Sequence, residues 1–180
     1  MQDEKEFLEA LLNPLTQRVA FQELVSKYHR SLYSHIRNIV LNHDDADDVL
    51  QNTFIKVYGN LNKFKGESKL FSWIYRIATN EALTFLQQKS KRFQITSEEY
   101  LFKQTEKMQA DEYFDGDEIQ LKLQKAIAQL PDKQQLVFKM KYFEELKYEQ
   151  ISEILGTTIG GLKATYHIAV KKIEEYLAQN

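Results

Sequence analysis

Arg76, Asn80, Thr84, Gln87 and Lys91 recur at intervals of three and four residues, which places them on one helix face. The face carries bases, amides and a hydroxyl, and no carboxylate. Guanidinium and ammonium groups neutralise phosphates, and amides bond the edges of bases, so this chemistry suits binding a nucleic acid rather than making a bond. A second set lies near the C-terminus. Gly160, Gly161, Lys163, Ala164, His167 and Lys171 share the outer side of a helix that Thr158 can cap. Small and basic groups at the first turns of a helix fit a DNA major groove. The alternative for both faces is an ordinary solvated helix surface, although such surfaces usually mix in glutamate.

Catalytic chemistry finds little footing. His43 stands beside Asp44, Asp45, Asp47 and Asp48, a grouping that could hold a metal, but acids gather at helix N-termini for electrostatic reasons alone. Capping is the reading adopted. His29 and His35 do not share a helix face at ligand spacing. There is no glycine-rich phosphate loop and no nucleophile elbow. No catalytic residue, metal, cofactor or small-molecule substrate is therefore expected, and the chain does not read as an enzyme.

Two further surfaces stand out. Phe71, Trp73 and Tyr75 cannot all share a narrow core stripe, so at least one should be partly exposed, and an exposed ring beside a basic face can stack on an unpaired base. Asp48, Gln51, Asn52 and Ile55 form a polar face interrupted by an isoleucine, which is weak evidence for a protein partner.

The elements that must position these residues are helices. Phe21, Leu24, Val25, Tyr28, Leu32, Ile36, Ile39 and Val40 keep helical spacing. The stretch 42–45 breaks the pattern, and a second stripe runs from Ala46 to Leu61. After a loop at 62–68, a third helix is expected from about Lys69 to Gln88. The stretch 93–117 is acidic and aperiodic and reads as a linker, with a local helix at 97–107 that Ser97 could cap. Ile119, Leu123, Ala126, Ile127 and Leu130 then mark a short helix. Asp132 and Gln135 offer a capping box for the next, lined by Leu136, Val137, Met140 and Phe143. A two-helix unit closes the chain, with Ile151, Ile154 and Leu155 on its first helix, Gly156 at the turn, and Leu162, Tyr166, Ala169, Val170 and Ile173 on its second. No strand pattern is visible. The fold class expected is all-α: two small helical domains joined by an acidic linker, the rear one a four-helix unit with a helix-turn-helix.

Composition agrees with this division. The 180 residues are 43% hydrophobic, enough to bury a core, and include no cysteine, which rules out disulfides and thiolate metal sites. No run approaches the length of a membrane span, and the acidic N-terminus lacks the features of a secretory signal. A cytoplasmic protein with no membrane insertion is expected. The net charge of -2 conceals alternation: -3 over 1–16, +5 over 17–92, -6 over 93–118 and +2 over 119–180. Two basic blocks separated by an acidic one suggest nucleic-acid contact by the basic parts. A stand-alone repressor or activator, a helical adaptor without a DNA role, and a metal-dependent helical enzyme around His43 remain alternatives at this level.

The strings DADDVLQNTFIKVYGNLNKFKGESKLFSWIYRIATNEAL and LPDKQQLVFKMKYFEELKYEQISEILGTT narrow the choice. In this order they resemble the extracytoplasmic-function sigma factors, small alternative sigma subunits of bacterial RNA polymerase, over about residues 18–92 and 119–180. The resemblance implies a region 2 domain at 1–92, a linker at 93–117 and a region 4 domain at 118–180. It implies that Asp47, Asp48, Gln51, Asn52 and Ile55 dock on the coiled-coil clamp of the largest polymerase subunit. Lys65, Ser68, Lys69, Arg76, Asn80, Thr84, Gln87 and Lys91 would meet the minus-ten element, with a base flipped into a protein pocket. Thr158, Gly160, Gly161, Lys163, Ala164, His167 and Lys171 would read the minus-thirty-five element. An anti-sigma factor is a further candidate partner. The match departs where many relatives carry Glu-Gly-Thr-Val-Lys-Ser-Arg. Here Ile159 to Thr165 reads IGGLKAT, so Thr165 replaces a basic residue; Asn52 likewise replaces a usual glutamate, and Lys147 stands where a Ser or Thr cap is common.

Overall fold

The computed structural model describes residues 2–108 and 116–179. Among the described residues there is no strand, as the absence of two-residue alternation leads one to expect. The helices are α1 (Gln2–Leu12), α2 (Gln17–Val40), α3 (His43–Asn60), α4 (Leu70–Phe93), α5 (Ser97–Lys107), α6 (Glu118–Ala128), α7 (Asp132–Tyr142), α8 (Tyr148–Leu155) and α9 (Ile159–Gln179), with a 3-10 turn at Leu61–Lys63. No helix among them is long and apolar enough to cross a membrane.

The front group is a bundle in which α2, α3 and α4 pack on one another and α1 lies against α2. Helix α1 falls in the acidic N-terminal stretch, where periodicity alone gave no signal; burial of Leu11 anchors it. Helix α3 begins as its sequence suggests. The Asn42 side chain accepts the Asp45 amide at 2.9 Å, and Asp44 and Asp45 occupy the first turn. Helix α4 buries Leu70, Ile74, Tyr75, Ala78, Ala82 and Leu86, and continues past Gln88 to Phe93.

Helix α5 lies within the acidic segment and packs on α4 and α6. Its cap is Thr96, not Ser97. Thr96 Oγ1 accepts the Glu99 amide at 3.1 Å, and Glu99 Oε2 accepts the Thr96 amide at 2.9 Å. The reason is spacing: a glutamate follows Thr96 by three residues, whereas Tyr100 occupies that place relative to Ser97. The Tyr100 hydroxyl donates to Asp45 Oδ2 at 3.2 Å, and Lys89 Nζ donates to Asp45 Oδ1 at 3.1 Å. Burial, then the Asp45 charge, push the Tyr100 hydroxyl up to about 12. The remainder of the expected linker, 109–115, lies outside the described residues.

In the rear group α6, α7, α8 and α9 pack together. The expected box of Asp132 and Gln135 does not form. Pro131 takes the cap position, and the Gln135 amide instead donates to Leu130 O at 2.8 Å. Ile119, expected on the buried face of α6, is 72% exposed, because α6 turns Leu121, Ala126, Ile127 and Ala128 inward. Gly156 closes α8 in the left-handed conformation (φ 64°) that glycine adopts without steric penalty.

The two groups share one hydrophobic cluster. Front residues such as Ile36, Ile74 and Leu86 belong to the same buried set as Leu136, Val137, Met140, Ile151 and Ile154. A separate rear cluster joins Ile127, Leu130, Phe138, Ala169 and Ile173. Lys139 sits where the groups meet, beside a small cavity lined also by Ile39, Leu86 and Leu101. It is 2% exposed, and its only hydrogen-bond acceptor among the described residues is Gln135 Oε1 at 3.3 Å. Burial pushes its ammonium down to about 7 from an ordinary 10.5, and the Asp132 charge opposes the shift. A lysine depressed in the fold destabilises it fully below the folded pKa, and the penalty fades as pH rises toward the unfolded value. Lys139→Met is therefore expected to raise the thermal unfolding midpoint most near about pH 6 and less near about pH 9. Equal gains at both, measured by circular dichroism melts, would contradict burial of the charge.

Candidate nucleic-acid interface

The flank of α4 opposite its buried stripe is the first candidate surface. Arg76, Asn80, Thr84, Gln87 and Lys91 are all exposed on it. They lie together because Leu70, Ile74, Ala78 and Ala82 fix the opposite side in the core. The preceding loop contributes exposed Lys65 and Lys69 and half-buried Ser68, with Gly66 holding the positive φ of its turn. Lys69 caps α4 without a side-chain hydrogen bond, since an ammonium cannot accept an amide proton.

The aromatic run resolves by position. Tyr75 is buried, while Phe71 and Trp73 are half-buried. Phe71 packs on Tyr75 at 4.1 Å between centroids, and Trp73 packs on Phe64 at 5.1 Å. Trp73 also lines a surface recess with Lys56, Asn60, Lys63, Ile77, Asn80 and Glu81. Three of these, Lys56, Asn60 and Lys63, come from the end of α3 and its 3-10 turn, so the recess joins two segments that the sequence separates. Lys56 bonds Glu81 across it. The recess combines a flat ring and amides, equipment for holding an unstacked base, with two ammonium groups, one of which is paired with the Glu81 carboxylate.

On α3, Asp47, Asp48, Gln51, Asn52 and Ile55 are exposed together, and Ile55 keeps 63% of its surface in solvent. His43 belongs to local packing. Its Nδ1 lies 2.6 Å from the Tyr33 hydroxyl and its Nε2 lies 3.5 Å from Asp47 Oδ2. Among the described residues no three His, Cys, Asp or Glu side chains gather as metal ligands do.

The third surface is the start of α9. Thr158 Oγ1 accepts the Gly161 amide at 3.2 Å, the expected cap. Gly160, Lys163, Ala164, His167 and Lys171 are exposed and Gly161 is half-buried, while Leu162, Ala169 and Ile173 hold the inner face. Lys163 Nζ lies 5.7 Å from the Tyr148 ring centroid, so that ring steers it from the side. Thr165, in the position of the missing base, turns its hydroxyl back to Gly161 O at 2.8 Å.

Five residues, four of them paired with no warning in the sequence, tie the front and rear groups together. Ser72 Oγ donates to Glu153 Oε2 at 2.6 Å, and Arg76 Nη2 bonds the Glu153 carbonyl. His35 Nδ1 lies 2.9 Å from Glu144 Oε1. Arg76, expected to face nucleic acid, is thus engaged by α8.

Residues 24–92 match the family model Sigma-70 region 2, and residues 120–173 match Sigma-70, region 4. The chain is 30% identical over 166 residues to the RNA polymerase sigma-H factor of Pseudomonas aeruginosa, covering 88% of this chain and 86% of that protein. It is 31% identical over 157 residues to the ECF RNA polymerase sigma factor SigW of Bacillus subtilis, covering 82% and 83%. Among solved structures, CnrH in complex with the cytosolic domain of CnrY superposes with a TM-score of 0.69 at 18% identity, covering 98% of each chain. The sigma factor RpoE in complex with the anti-sigma factor NepR from Bartonella quintana gives 0.64 at 19% identity, covering 88% of this chain and 96% of that one.

The two glycines of α9 differ in their surroundings. A methyl group on Gly160 would meet nothing within 4 Å, whereas one on Gly161 would lie 3.1 Å from Thr158 Oγ1, the capping atom. Gly160→Ala is expected to stabilise the fold by about 0.5–1 kcal/mol through helix propensity. Gly161→Ala is expected to gain less, because it presses on the cap. Urea unfolding of the two variants checks the order, and a larger gain for Gly161→Ala would contradict it.

Proposed function

This chain belongs to the extracytoplasmic-function sigma factors of the sigma-70 family, and on that basis we propose how its surfaces divide the work. It binds core RNA polymerase and directs promoter recognition in transcription initiation. Residues 1–92 act as the region 2 domain, 93–117 as the linker and 118–180 as the region 4 domain. The α3 face of Asp47, Asp48, Gln51, Asn52 and Ile55 docks on the polymerase clamp. Exposed Ile55 supplies the apolar centre, and the surrounding polar groups form a rim.

Lys65, Ser68, Lys69, Arg76, Asn80, Thr84, Gln87 and Lys91 engage the minus-ten element. The recess beside Trp73 receives a base turned out of the stack. Its captured stacking energy, about 1–3 kcal/mol per base, offsets the few kcal/mol of unstacking. Thr158, Gly160, Gly161, Lys163, Ala164, His167 and Lys171 present the start of α9 to the major groove of the minus-thirty-five element. The glycines let the backbone come close, and Thr165 withdraws one phosphate contact that a base would make. The protein works by binding alone, in the cytoplasm where the polymerase is, with no covalent step. An anti-sigma factor is a further partner in this reading, supported by the structure of RpoE in complex with one.

The observation that carries this reading is the acid-free flank of α4, continuous with a recess that holds a tryptophan. Run-off transcription with purified core polymerase tests it. Ile55→Glu is expected to abolish co-purification with core while leaving the melting temperature unchanged, because the side chain is mostly in solvent. Asn80→Ala is expected to retain core binding and to reduce open-complex formation about tenfold, with the loss smaller on a template already mismatched at the minus-ten element. Equal losses on both templates would argue against base capture at the recess, and wild-type failure to stimulate core on any promoter pool would overturn the reading.

A further inference from the structure

A carboxylate sits where a surface for nucleic acid has no evident use for one. Glu81 stands at the margin of the acid-free flank of α4 and lines the recess beside Trp73. Its side chain is only 15% exposed, whereas Lys56, which pairs with it from α3, keeps 54% of its side chain in solvent. The pair runs to Glu81 Oε1, and no hydrogen bond among the described residues engages Oε2. A tie between two helices needs no more than the pair itself. This pair, however, borders a depression of about 310 Å³ walled by a flat ring, Trp73, and an aliphatic side chain, Ile77.

The neighbours narrow what such a recess can read. Asn60 donates its amide to Lys56 O at 2.7 Å, which leaves its carboxamide oxygen to accept. A carboxylate also only accepts. Asn80 serves in either sense, and the ammonium groups of Lys56 and Lys63 belong to exposed residues, on the side where a strand's phosphates would run. The inner wall thus offers acceptors in excess.

We infer that Glu81 decides which base the recess takes, favouring one with an exocyclic amino group, such as cytosine, over thymine or uracil; this rests on the base-capture reading given above. Cytosine carries its N4 amino group at the rim of the ring, and Glu81 Oε2 accepts from it. Uracil carries a carbonyl oxygen at the same place. Two acceptors then face each other away from bulk water, and both go unpaired. Lys56 holds the carboxylate in position and cancels its charge, so the strand's phosphates are not repelled.

The test uses holoenzyme assembled from core polymerase and the full-length chain, with single-stranded oligonucleotides copied from the nontemplate strand of a promoter that it transcribes. Cytosine and uracil have rings of one size, so exchanging them position by position isolates the amino group. The wild type is expected to bind cytosine about tenfold more tightly at one position. Glu81→Gln, whose amide donates as well as accepts, is expected to bring that ratio within about twofold. Lys56→Gln breaks the same ion pair and keeps the carboxylate. It is expected to weaken binding of both oligonucleotides and to preserve their ratio, whereas a purely structural tie would make the two variants alike. Pyrimidin-2-one, which is cytosine without its amino group, gives a readout on the wild type that no variant's folding affects, and it is expected to lose most of the preference. Transcription with no cytosine preference at any position, a preference that Glu81→Gln leaves intact or Lys56→Gln equally abolishes, or one that pyrimidin-2-one retains, overturns the role of Glu81 and leaves the sigma-factor reading standing. A chain that transcribes no promoter overturns both.

Discussion

The burial of one flank of α4 is the constraint on which the rest of the molecule depends. Leu70, Ile74, Tyr75, Ala78, Ala82 and Leu86 face inward, and that single rotational setting of the helix fixes where its amides and bases point. Among the described residues α4 packs chiefly on α2 and α3 of the front bundle, on α5 in the acidic segment and on α8 from the rear. A quarter-turn rotation would bury Arg76 and Asn80 against apolar neighbours and leave their polar groups unpaired, which is costly. The hydrophobic stripe therefore sets the exposed polar face through geometry, although no stripe residue lies on that face.

Much of this was legible in the sequence, for the same reason. Apolar residues at helical spacing had to be buried, so the runs from Phe21 to Val40 and from Ala46 to Leu61 announced their helices. The missing carboxylates marked the outer side of α4. Thr158 was readable as a cap because its role is local, decided within three residues. Even the error at Ser97 was correctable on local grounds, since Thr96 and Glu99 have the spacing of a reciprocal cap.

What escaped reading is non-local or runs against type. Ser72 and Glu153, or His35 and Glu144, are far apart in the chain, and nothing in either partner's surroundings names the other. Lys139 lies between Phe138 and Met140, and a lysine there reads as a solvent-facing position. Its burial follows from the docking of α7 on α2, beside a small cavity that Leu86 and Leu101 also line, which periodicity does not encode. The recess beside Trp73 escaped for the same reason: Lys56 and Asn60 reach it only because α3 packs antiparallel to α4 at that point.

The capped helix α5 has a consequence for distance. While Thr96 caps it and Tyr100 holds Asp45, the covalent connection between α5 and α6 runs from Lys107 to Glu118, and ten or so residues can span about 35 Å at most. Were α5 to unwind and detach, the leash from Phe93 to Glu118 would lengthen to about 85 Å. The anchoring of one tyrosine to one aspartate thus governs how much of the polypeptide is free to separate the two groups of helices.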